Sequence, residues 1–92
     1  MSIIQNFFDE TVDQNGRLTD IQAHWPDNFN FGYDVVDAIA QETPDKRALV
    51  WCNTENEEHI FTFGDIREQS SRAANALLKA GVKRGDRVML AL

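Results

Sequence analysis

The chain has 92 residues, a formal net charge of −6, and hydrophobic and aromatic shares of 42% and 10%. That length allows one domain or less, able to bury roughly 60–65% of its unfolded surface, and the apolar share excludes a disordered polymer. Residues 1–60 carry 12 acidic and 3 basic side chains and residues 61–92 carry 3 and 6, an acidic balance without a basic stripe that argues against nucleic-acid binding.

Residues 1–28 read as a peripheral lead-in. Ile3, Ile4, Phe7 and Phe8 form a short apolar face at helical spacing. The flanking Asp9 and Glu10 have the wrong sign for anionic lipid, so docking on the protein's own body is the expectation. Asp13-Gln14-Asn15-Gly16 breaks the helix with an Asn-Gly turn signal, and Thr19 to Trp25 is expected to form a second short helix closed by Pro26. No segment approaches the ~20 apolar residues of a membrane helix. No basic region followed by an apolar core opens the sequence, so no secretory signal is expected.

A longer helix follows. Asn28 or Asn30 is its expected cap, and Asp34 and Asp37 favour its positive end. Val35, Val36, Ile39 and Ala40 recur at steps of three and four, and Pro44 ends the helix near Glu42. Arg47 to Asn53 then reads as a buried strand, Thr54 to Glu58 as a turn with Asn56 left-handed, and His59 to Phe63 as the return strand of a hairpin. On that strand Ile60 and Thr62 fall on one face and Phe61 and Phe63 on the other. Cys52 has no partner for an internal disulfide, which points to a reducing, cytoplasmic setting, and its apolar neighbours predict a buried, inert thiol. Glu55, Glu57 and Glu58 at the hairpin tip read as solvated charges rather than metal ligands.

From Thr62 the period becomes helical. Thr62-Phe63-Gly64-Asp65 has the form of a capping box with Asp65 replacing the usual Glu. Ile66, Ala73, Ala74, Leu77 and Leu78 share one face, while Arg67, Glu68, Arg72 and Lys79 turn towards water. Gly81 stands where a left-handed residue ends a helix, and Val82 is placed to pack back on the last turn. Lys79, Lys83, Arg84 and Arg87 complement the negative end of the helix dipole rather than form a phosphate site. Gly85-Asp86 makes a tight turn in which Asp86 bonds nearby backbone donors, Arg87 pins the strand end, and Arg87 to Leu92 is the expected final strand. Strand, helix and strand make a right-handed βαβ crossover, so the fold class is α/β: a hairpin plus a βαβ unit in a mixed sheet with packed helices. An apolar run at Val88 to Leu92 is unlike a fraying terminus, and the chain is expected to be the first piece of a larger protein.

Phe61-Thr62-Phe63-Gly64-Asp65-Ile66 resembles the first core motif of adenylate-forming enzymes, usually Leu-Thr-Tyr-x-Glu-Leu. Ala73 to Val82 and the following Lys83-Arg84-Gly85-Asp86-Arg87-Val88 resemble the helix and turn that come next in that family. Upstream, Phe29 to Asp37 and Thr43 to Trp51 are similar to the N-terminal region of AMP-forming acyl-CoA synthetases, with medium-chain and acetyl-CoA-synthetase-like members the nearest in pattern. Asp65 for Glu, Ile66 for Leu and Asn56 for a common hairpin glycine are the departures.

The resemblance covers residues 25–92. It implies that residues 29–92 are the start of an AMP-binding, or adenylation, domain, cut short. It implies a parent that activates a carboxylic acid, a fatty acid by expectation, with ATP and Mg²⁺ to an acyl-adenylate and passes the acyl group to CoA. The family's phosphate loop, adenine-binding and ribose-binding residues, hinge and catalytic lysine would lie after Leu92. The chain itself is then scaffold, with no bound cofactor and with the remainder of the parent as its partner.

Independent chemistry is thin. His24 and His59 read as solvated or structural histidines, Ser70 and Ser71 lack an adjacent base, and the five glycines form no phosphate-binding motif. No catalytic, cofactor-binding or metal residue is assigned. The alternative is a standalone interaction module that pairs with a partner, or with itself, through a strand edge at Val88 to Leu92.

Overall fold

The computed structural model describes residues 3–92. A single turn of 3-10 helix, Ile3–Asn6, leads into strand β1, Phe8–Val12, which pairs antiparallel with β2, Leu18–Ala23. The Asp13 carboxylate accepts from the backbone N–H groups of Asn15 and Arg17 at 2.8 and 3.0 Å, and Gly16 supplies φ 77°, so the chain reverses at the expected Asn-Gly turn.

The second helix expected over Thr19 to Trp25 does not form; most of that segment is β2. Once the turn reverses the chain, the ladder from Phe8↔Ala23 to Thr11↔Asp20 satisfies the backbone, and β-branched Thr19 and Ile21 suit a pleated strand. The expected apolar helical face also divides: Ile3 and Ile4 lie in the 3-10 turn, whereas Phe8 opens β1. Phe7 packs edge-on to Phe29 at 4.9 Å and Trp25 stacks on Phe29 at 6.0 Å, clasping the hairpin to the segment that follows.

Asn30 starts the helical region reciprocally. Its side-chain oxygen accepts from the Tyr33 N–H at 3.1 Å, and the Asp34 carboxylate accepts from the Asn30 N–H at 2.8 Å. The first turns are wide, of π type over Gly32–Asp37, and tighten into helix α1, Ala38–Glu42. Thr43 closes it with an N–H bond to the Ile39 carbonyl at 2.8 Å, directly before Pro44. Val35 and Ala40, each 4% exposed, are the buried apolar residues among those described.

Strands β3, Arg47–Cys52, and β4, Glu58–Thr62, form the second antiparallel pair, with Val50↔Ile60 and Trp51↔His59 in register. Asn56 has φ 62°, and the Asn53 side-chain oxygen accepts from the N–H groups of Glu55 and Glu57, each at 3.0 Å. The strand expected to be buried is exposed along its whole length, Cys52 included. The sheet has two strands, and its principal packing partner is α2, which leaves β3 open to solvent among the described residues.

Helix α2, Phe63–Lys79, carries the expected capping box: the Thr62 hydroxyl oxygen accepts from the Asp65 N–H at 3.1 Å, and the Asp65 carboxylate accepts from the Thr62 N–H at 2.9 Å. Its first turn is tied to the preceding loop, with Phe63 N–H to Lys46 carbonyl and Gly64 N–H to Pro44 carbonyl, both 2.9 Å. At the other end Gly81, φ 93°, sends its N–H to the Leu78 carbonyl and Val82 sends its N–H to the Leu77 carbonyl. These two bonds are a Schellman motif. The helix packs on the π turn, α1, β3 and β4. Of its expected apolar face, Ile66 is half-buried, while Ala73, Ala74, Leu77 and Leu78 are exposed.

The chain is therefore an α/β fragment of two antiparallel hairpins and two helices. The strand expected over Arg87 to Leu92 is not built, and no parallel pair closes a βαβ unit among the described residues. A strand exists through its ladder, and Val88 to Leu92 has no ladder partner here, leaving Met89 93% exposed. The edge on which the self-pairing alternative rests is absent with it.

Magnitudes place the molecule. Its accessible surface is 8308 Å² for 10.5 kDa, against about 5,400 Å² for a compact monomer of that mass. Its radius of gyration is 17.1 Å, against about 12 Å for a compact domain of that length.

Candidate functional site

The polar side chains that the topology brings together meet in an open cleft of about 250 Å³, lined by Tyr33, Asp34, Asp37, Ala38, Gln41 and Arg67. The π turn places Asp34 and Asp37 on one wall, and α2 brings Arg67 from the other. Asp34 already accepts from the Asn30 backbone. In the sequence the two acids are helix-start charges and Arg67 is a solvated residue. Their juxtaposition depends on how α2 crosses the π turn, which local periodicity does not encode. A second cleft, about 230 Å³, lies where Ile3 and Ile4 face Ile39 and Phe63, with Glu42 and Lys46 at its rim. The lead-in therefore meets the protein's own body there.

The other candidate residues stay apart. His24 Nε2 lies 3.3 Å from a carboxylate oxygen of Asp9 across the first hairpin, a cross-strand neighbour that helical spacing could not reveal. Both side chains are well exposed, and screening by water makes such a pair weak. His59 packs at 5.3 Å against Trp51 on the second hairpin. Ser70 donates its hydroxyl to the Arg67 carbonyl at 3.0 Å, so it is engaged within its own helix. Asp86 accepts from the Lys83 N–H at 2.7 Å, as a turn residue does. Glu55, Glu57 and Glu58 are exposed at or beside the hairpin tip, and no group of three potential metal ligands converges among the described residues. No described helix is long and apolar enough to cross a membrane.

What sets the chain apart is the segment running from the end of the π turn through β3, β4 and α2 to Leu92. A family model described as "AMP-binding enzyme" matches residues 36–92. The chain belongs to the AMP-binding enzyme family. It is 36% identical over 83 residues to acetyl-coenzyme A synthetase 2 of Candida albicans, covering 86% of this chain and 12% of that protein. It is 41% identical over 73 residues to the mitochondrial acyl-coenzyme A synthetase ACSM5 of Rattus norvegicus, covering 73% of this chain and 13% of that protein. The human mitochondrial acyl-coenzyme A synthetase ACSM4 is 40% identical over 73 residues, with the same two shares, 73% and 13%. The chain thus spans about an eighth of the length of these relatives. The matched segment holds the capping box, the Schellman turn and the Gly85-Asp86 turn, the features that carry the family resemblance.

Proposed function

We propose that this chain serves as scaffold in an AMP-forming acyl-CoA synthetase. In that reaction a carboxylate oxygen attacks the α-phosphorus of ATP and pyrophosphate leaves, giving an acyl-adenylate. The thiol sulfur of CoA then attacks the acyl carbon, its proton is lost, and AMP leaves. The match of residues 36–92 to the AMP-binding family carries the reading. The CoA-synthetase names of the relatives support the reaction class, and a fatty acid as the substrate is proposed from the resemblance of the sequence pattern to medium-chain members.

The residues present do not fit MgATP. They supply no glycine-rich phosphate loop, and the described residues supply no convergent set of metal ligands. The parent would hold ATP, Mg²⁺ and CoA elsewhere, and no step is routed through this chain. Its contribution is to give the remainder of the enzyme a surface to pack on, which the excess of exposed area supplies.

Acid-dependent ATP–pyrophosphate exchange tests the proposal. The intact parent should exchange in the presence of a fatty acid and release AMP on adding CoA, whereas the 92-residue chain alone should not. Exchange by the isolated chain would overturn the scaffold role, and a parent that forms no acyl-CoA would overturn the reaction class.

A further inference from the structure

We draw no further inference here: the strongest candidate, the apolar face of the β1–β2 hairpin bearing Phe8, Val12, Leu18 and Ile21, is an unpartnered surface and nothing in the structure shows what covers it.

Discussion

Thr62 and Asp65 hold the start of α2 through two reciprocal bonds of 3.1 and 2.9 Å. Each satisfies a backbone donor that the helix leaves free, so the hydroxyl oxygen matters and the methyl does not. Thr62→Ala should destabilise α2 by about 1 kcal/mol, whereas Thr62→Ser should stay within a few tenths. Far-UV circular dichroism across a denaturant series reads the difference, and equal losses for both variants would remove the cap from the account. At the opposite end Gly81 sits at φ 93° with open space where a Cβ would go. The cost of a side chain there is therefore backbone strain alone. Gly81→Ala should cost about 1–2 kcal/mol of helix stability and Gly81→Asn less, since Asn tolerates the left-handed region. Gly64 poses the opposite problem: an added Cβ would lie 3.1 Å from the Pro44 carbonyl oxygen, which also accepts the Gly64 N–H. Gly64→Ala should loosen the tie between α2 and the loop before β3. Faster hydrogen exchange of the Phe63 amide and of the substituted residue's own amide would report it, and unchanged exchange at both would show that the loop yields without loss.

At the scale of elements, the parts legible in the sequence are those whose geometry is written within a few residues. The turn at Asn15-Gly16, the left-handed Asn56, the Thr62–Asp65 cap and the Gly81 stop are all local hydrogen-bond problems with few solutions. Helix α1 ends before Pro44 for the same reason. The first hairpin escapes local reading because seven residues, Thr19 to Trp25, fit a helix turn or a strand equally, and its partner β1 decides the matter. Arg67 beside Asp34 and Asp37 is beyond reach because helix crossing places it there. Asn56 gives the second hairpin its own test. Asn56→Gly should be tolerated within about 0.5 kcal/mol, whereas Asn56→Val should cost about 1–2 kcal/mol, because a β-branched side chain opposes positive φ. Amide exchange along β3 and β4 measures this, and a silent Val variant would mean that the turn does not control the pairing.

For the whole molecule, surface decides more than any one residue. The accessible area of 8308 Å² exceeds that of a compact monomer of equal mass by roughly 2,900 Å². Covered by a partner, that excess would bury about twice as much area over both surfaces, the size of large obligate interfaces, which run from about 2,000 to beyond 5,000 Å² in total. Leu49, Val50 and Trp51 of β3 are 52%, 44% and 44% exposed, and Cys52 is exposed beside them. A scaffold role predicts that the rest of the parent covers this strand. The Cys52 thiol then becomes a reporter, because a covered thiol reacts only when the covering elements open, each ~1.4 kcal/mol of opening free energy slowing it about tenfold. In the isolated chain a thiol-specific reagent should modify Cys52 at the rate of an unhindered cysteine. In the intact parent the same cysteine should react at least tenfold more slowly, and mild denaturant should restore the fast rate. Equal fast rates in chain and parent would show that β3 stays bare in the enzyme, and its Leu-Val-Trp run would then need a reason other than packing.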